Sequence, residues 1–243
     1  MSAFLILLLS LLILHVITDF YLQPIEWVKD KNTRHERSLK LLYHAIMQAS
    51  FACVPILFFT ASWRSVICTW FVVGVSHWLI DLWKTYAKKQ LRYFVVDQAL
   101  HVFILIVVAL HAAQLQWSFA GLGAVVFTKN NLIIALSYIL IFKPTSILIG
   151  SILTKYTPEE NESTKGLISG GEVIGYLERT LILTFTITGQ FTVIGFVLAA
   201  KSIFRFGDLN NTKNHKLTEY VLLGSLLSVT ITSVIGLAVR NSI

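Results

Sequence analysis

Charge is scarce in this sequence. Only 14% of its 243 residues are Asp, Glu, Lys or Arg, against 55% hydrophobic residues and a mean hydropathy of +0.70. A soluble domain carries about 25% charged residues, so a water-facing surface of this size is excluded and lipid is the expected solvent. Cysteine is almost missing as well. Cys53 and Cys68 both fall in apolar stretches, where free thiols are commoner than a disulfide or a ligand pair, and they give no reading of redox compartment. There is no Walker A loop, dinucleotide fingerprint or GxSxG elbow, because the Gly-rich stretches lack the flanking strand and turn those motifs need. The first apolar stretch lacks a basic leading region and runs into His15, Asp19, Gln23 and Pro24 rather than a small-residue cleavage site. It reads as a retained helix, not a removed signal peptide.

What the chain does have is a series of apolar runs of about 20 residues, each long enough to cross roughly 30 Å of hydrocarbon as a helix. They predict an all-α, polytopic transmembrane bundle of about eight spans, near 2–22, 39–60, 64–84, 93–113, 131–154, 171–188, 190–206 and 217–239. The natural division is a four-helix part, 1–115, and a carboxyl-terminal part, 116–243. Gly189-Gln190 is expected to turn a hairpin between two short helices, and 115–128, with Trp117 and several glycines, to lie at the interface. Fifteen of the twenty Lys and Arg residues fall in the loops 29–40, 84–92, 155–165 and 201–216. Those loops face the cytoplasm if the N-terminus is outside. Topology thus accounts for the formal charge of +7, and nucleic acid is not an expected partner.

The unusual residues lie inside the first four spans. His15 and Asp19 are four apart, His77 and Asp81 repeat that spacing, and Asp97 and His101 reverse the order. Residues four apart share a helix face, so each pair can aim two ligands at one point. His44 adds another imidazole. By the topology all seven sit at similar depth in the inner leaflet, where an ionised Asp is costly unless paired. A divalent metal offsets that cost, and a mixed N/O set suits one or two ions of Zn, Mn or Fe. Hydrogen-bonded polar contacts between helices are the structural alternative. His35 and His215 are expected in solvated loops and His111 at the opposite face. A weak repeat relates the first hairpin to the second: HxxxD recurs 62 residues on, and His44 matches His101, with Lys40 standing where Asp97 stands.

Beyond residue 115 the polar residues change type. Lys143, Glu178, Arg179, Lys201, Arg205 and Glu219 lie in or beside spans, with Pro144 expected to kink its helix. The excess of cations suits an anionic or phosphorylated head group; interhelical ion pairs and snorkelling explain the same residues.

HVITDFYLQ at 15–23, His44, HWLIDLWK at 77–84 and DQALH at 97–101 together resemble the domain of unknown function 3307, a family of bacterial integral membrane proteins. The likeness covers roughly the first half. IGYLER at 174–179, AAKSIFRF at 199–206 and EYVLLGSLLS at 219–228 look like the carboxyl-terminal part of longer members. The resemblance implies a multi-pass protein of the bacterial inner membrane and no activity. Intramembrane HxxxD patterns are also distantly similar to those of inner-membrane proteins described as metal-dependent hydrolases.

The leading functional expectation is a metal-dependent hydrolase acting on a phosphoester or lipid-linked substrate at the cytoplasmic leaflet. Asp19, Asp81 or Asp97 would serve as general base, and Arg179, Lys201 or Arg205 would hold the anion. A metal-ion or proton transporter is the competing class, opposed by the apolar outer halves of the first four spans. A non-catalytic membrane subunit with a structural metal is the third.

Overall fold

The computed structural model describes residues 2–59, 62–88, 90–113, 128–154, 156, 162–209 and 215–243, and every regular element among them is helical. Most of the segment expected at the interface, 115–128, lies outside the described residues. Chain contacts divide the molecule into two compact units, Met1–Leu136 and Ser137–Ile243.

In the first unit, α1 (Ser2–Val16) runs on into a π-turn, Ile17–Tyr21. Pro24 then starts α2 (Ile25–Arg34), a charged helix unlike its neighbours. Ser38 caps α3 (Leu39–Phe59), its Oγ accepting from Leu41 N at 3.1 Å and donating to Asp30 at 2.5 Å, as a Ser at a helix start commonly does. The hairpin partner of α3 is α4 (Trp63–Tyr86), followed by α5 (Leu91–Ala113). Helices α1, α3, α4 and α5 pack in a ring, α1 against α3, α3 against α4, α4 against α5 and α5 back against α1. Small residues let α3 and α4 approach closely: a Cβ at Gly74 would stand 3.2 Å from that of Ala49.

Polarity in this ring is inverted. On α4 the buried stripe is Ser65, Thr69, Val73, His77 and Asp81, whereas Ile67, Phe71, Val75 and Leu79 are exposed. On α5, Asp97 and His101 are buried while Val96, Leu100, Phe103 and Val107 face out. An apolar outer face around a polar centre is what lipid selects. The two ends of the ring differ: Leu7, Leu11, Ala52, Ile56, Val73, Leu105, Val108, Ala109 and Ala112 fill one half as a continuous apolar core, and the His and Asp residues occupy the other.

The second unit is reached through α6 (Lys129–Ile141), which meets α7 (Lys143–Leu153) at a bend of 41°. Pro144 sits in the first turn of α7, and the break falls just before it, where proline cannot continue the preceding helix. Then come α8 (Glu162–Ile187), α9 (Phe191–Leu209) and α10 (His215–Ser242). Gly189, at φ 76°, turns the chain between α8 and α9, a backbone conformation that glycine adopts without strain. Helix α8 packs chiefly on α10, most tightly where a Cβ at Gly236 would come within 2.7 Å of Thr186.

Among the described residues, five helices have the length and hydropathy to cross a membrane: Ala3–Tyr21, Leu39–Phe58, Trp63–Tyr86, Leu91–Ala113 and Glu219–Ser242. The bent α6–α7 pair makes a sixth if it counts as one broken span. Helix α8 carries Glu172, Glu178 and Arg179 within its apolar stretch, and the apolar part of α9, Phe191–Ile203, is short. Of the eight apolar runs in the sequence, five, or six with the bent pair, meet the length and hydropathy of a span among the described residues.

Candidate metal centre

The seven residues expected to form a cluster converge in the first unit. His15 and Asp19 come from α1 and its π-turn, His44 from α3, His77 and Asp81 from α4, and Asp97 and His101 from α5. The π-turn itself lies at the cluster: Leu22 N reaches back five residues to Ile17 O at 3.0 Å, and Thr18 bonds the carbonyls of Leu14 and His15. One extra residue in the turn changes the direction in which Asp19 projects.

Two imidazole nitrogens and two carboxylate oxygens approach one another. His44 Nε2 lies 3.0 Å from Asp19 Oδ1 and 3.7 Å from Asp81 Oδ2, while His77 Nε2 lies 3.9 and 3.8 Å from the same two oxygens. Ligands about 2.0–2.2 Å from a tetrahedral zinc stand roughly 3.3–3.5 Å apart, which these separations bracket. A second set adjoins the first. His101 Nε2 is 3.8 Å from Asp81 Oδ1 and 3.6 Å from Asp97 Oδ1. Asp81 thus offers one oxygen to each set. The rings of His77 and His101 stack at 4.1 Å, and that of His15 lies 5.1 Å from His101.

The hydrogen-bond inventory is incomplete in a particular way. Nε2 of His15, His77 and His101 and Oδ1 of Asp97 are buried with no hydrogen-bond partner, whereas His44 Nε2 is hydrogen-bonded to Asp19 Oδ1 and leaves only its Nδ1 without one. Buried polar atoms are nearly always satisfied, so orphaned lone-pair donors meeting at one place fit an ion or ordered water. The triads Asp19, His44, His77 and His77, Asp81, His101 each bring their ligand atoms within 4.8 Å of one another. A recess lined by His15, Ser76, His77, His101 and Ile104, with room for about a single water molecule, adjoins the second triad.

Around these residues stands a supporting layer that spacing alone does not reveal. Gln98 Nε2 donates to Asp19 Oδ2 at 3.1 Å and Asp97 Oδ2 at 3.0 Å, leaving the Oδ1 of each directed inward. Lys31 Nζ, on α2, is 2.6 Å from Asp81 Oδ2, and its residue is only 5% exposed. Lys84, in the last turn of α4, pairs with Asp97. Both lysines fall in stretches that topology assigns to solvated loops. Instead their ammoniums neutralise two of the three carboxylates. Lys40, the mismatch in the internal repeat, packs over the rings of Trp27 and Tyr43.

Helix α2 is fastened at its far end. The His35 ring, expected in solvent, stacks on Tyr86 at 4.2 Å, and its Nδ1 lies 2.8 Å from Thr85 Oγ1. Tyr86 donates its hydroxyl proton to the Glu36 carboxylate, which holds Glu36 below the usual carboxylate range. His111 is exposed near the end of α5.

A family model described as "Protein of unknown function (DUF3307)" matches residues 7–130, slightly over half the chain and nearly all of the first unit. The chain belongs to the DUF3307 family. Every member of the His/Asp cluster, together with Lys31, Lys84 and Gln98, lies inside the DUF3307 match. The second-half motifs lie beyond it. No curated protein and no solved structure matches.

Of the residues expected to hold an anion in the second half, Arg179 is buried and donates to Ser146 at 2.8 Å and Ser228 at 3.2 Å, with its guanidinium over Tyr176. Lys201 pairs with Glu178. Lys143 and Glu219 are exposed, and the Arg205 side chain lies outside the described residues. Arg179 and Lys201 thus engage partners on neighbouring helices of the second unit.

Proposed function

We propose that this protein is a membrane-embedded, metal-dependent hydrolase of phosphoesters or lipid-linked phosphates, working at the cytoplasmic leaflet of a bacterial plasma membrane. The observation that carries the reading is the meeting of unpartnered, buried imidazole nitrogens of His77 and His101 with carboxylate oxygens at separations of 3.6–3.9 Å. Asp19, His44, His77 and Asp81 would hold one divalent ion. Asp97, His101 and His15, with the other oxygen of Asp81, would hold a second. Such ions supply a water of lowered pKa and polarise the scissile phosphorus–oxygen bond. Gln98 fixes the Asp19 and Asp97 carboxylates through their Oδ2 atoms, and one of Asp19, Asp81 and Asp97 would take a proton from an incoming water.

The apolar core from Leu7 to Ala112 supports access from the charged end of the bundle rather than a pathway across it. With the N-terminus outside, the basic loops put that end in the cytoplasm.

Elemental analysis of the detergent-purified full chain tests the proposal. It should carry at least one transition-metal ion per molecule, and His77→Ala should lose it with helix content intact. Metal retained at the original stoichiometry by a His77→Ala/Asp97→Ala double variant would remove the basis for the reading. Metal-loaded protein should then release phosphate from a phospholipid ester, whereas metal-dependent flux in proteoliposomes without turnover would favour transport.

A further inference from the structure

Lys31 and Lys84 are not placed as ordinary surface cations. Asp81 and Asp97 flank the same imidazole, His101, at 3.8 and 3.6 Å, each through its Oδ1. The opposite oxygen of each carries a lysine: Lys31 on Asp81 Oδ2, Lys84 on Asp97 Oδ2. Two ammoniums from two different helices therefore bracket one ion position. Lys31 is almost sealed, with a side chain 7% exposed, whereas that of Lys84 is 32% exposed.

The charge balance gives this arrangement a consequence. With neutral imidazoles, three carboxylates and two ammoniums leave the cluster with a single negative charge. One divalent cation reverses that sign, and a second makes the excess positive charge larger. Excess charge in a low-dielectric interior is costly unless an anion joins it. The carboxylates are then shared with the metal, and the two ammoniums have donor capacity to spare, since each carries three N–H groups.

We propose that Lys31 and Lys84 form an anion seat for a tetrahedral phosphoryl group, completing the metal-loaded centre. This rests on the metal reading above and deepens it by moving anion recognition from the cations of the second half to two lysines within the first unit. Phosphate suits the seat because its oxygens can accept from both ammoniums while another faces the ion. The chemistry is shared by a free phosphate and a phosphomonoester lipid head group, and the depth of Lys84 in the bundle is compatible with both.

The test uses the metal-loaded full chain in two arms. One measures inorganic phosphate binding in detergent by calorimetry; the other measures thermal stabilisation in nanodiscs of phosphatidic acid against phosphatidylcholine. Lys31→Met and Lys84→Met should each retain metal yet weaken the phosphate response by about tenfold to a hundredfold, the usual effect of losing one charge-assisted hydrogen bond. Lys84→Arg should largely restore it. A response confined to phosphatidic acid and lost in the variants places the seat at the lipid boundary, and a response to inorganic phosphate lost in the variants opens it to water. Both outcomes uphold the seat. It is overturned if metal-loaded protein responds in neither arm, or if both Met variants respond as the original chain does. Metal content, measured in the same samples, separates this failure from failure of the metal centre: a chain without metal sinks the earlier reading, and a metal-loaded chain indifferent to phosphate sinks this one.

Discussion

Replacing Gln98 with Ala leaves every proposed metal ligand in place and removes only the amide that orients two of them. In the original chain that amide donates to Asp19 Oδ2 at 3.1 Å and Asp97 Oδ2 at 3.0 Å. A hydrogen bond to a charged acceptor contributes about 1.5–3 kcal/mol. Gln98 is only half-buried, so water recovers part of that, and the lower end applies. Loss of a residue that orients metal ligands typically weakens metal affinity about tenfold to a hundredfold, or roughly 1.4–2.8 kcal/mol. The two figures agree, and Gln98→Ala is accordingly expected to bind the metal about tenfold more weakly. A competitive chelator titration on detergent-purified protein measures this, with circular dichroism as a control for folding. Gln98→Glu is a sharper version, since it places a carboxylate against two others and should weaken the site further unless it becomes a ligand itself. Unchanged affinity in Gln98→Ala would mean that Asp19 and Asp97 do not hold metal through the oxygens that Gln98 leaves free.

Other perturbations probe other parts of the molecule. Tyr86→Phe removes the proton donated to Glu36 and should loosen the end of α2, read as faster proteolysis near residue 36. Because the folded state lowers the Glu36 pKa, that contact stabilises above the unfolded carboxylate range of about 4.3 and fades as pH falls through the lower folded value. The original chain and Tyr86→Phe should therefore differ at neutral pH and converge in acid. In the second unit, Gly236→Ala drives a methyl into Thr186, where a Cβ would lie 2.7 Å away. Overpacking of this kind costs about 1–3 kcal/mol, measurable as a lower unfolding midpoint in detergent.

The convergence of the His and Asp residues was legible in the sequence because helical spacing is a local property. His15/Asp19, His77/Asp81 and Asp97/His101 each announce a shared face, and the hairpin topology supplies a common depth. The supporting residues obey no such rule. Lys31 reaches Asp81 across 50 residues from a separate short helix, and Gln98 bridges Asp19 and its own neighbour Asp97. Counting Lys31 and Lys84 among loop cations is the correct statistical reading of a charge beside a span, and it fails here because buried carboxylates outcompete water for both. The one advance signal was the position of Lys84 three residues after Asp81, within one turn of the same helix face. The π-turn that carries Asp19 was likewise invisible, since ITDFY has nothing in its composition that distinguishes it from an α-helical turn.

Whether Lys31 serves the carboxylates or the metal is decided by the sign of one effect. Without an ion, Lys31→Met leaves Asp81 buried and short of its 2.6 Å partner, and breaking a buried pair by removing one member costs about 3–5 kcal/mol. With an ion in place, the same substitution removes a repelling positive charge from beside it and leaves a carboxylate that the ion neutralises. The variant is therefore expected to be destabilised in chelator, rescued by metal, and to bind that metal more tightly than the original chain. Thermal unfolding with and without added Zn, Mn or Fe, followed by a chelator titration, reads both quantities on one preparation. If Lys31→Met lost stability equally in the presence and absence of metal and bound it no more tightly, the ammonium would be an ordinary structural counter-ion. Asp81 would then have no claim to an ion, and the centre would reduce to hydrogen-bonded polar residues holding four helices together.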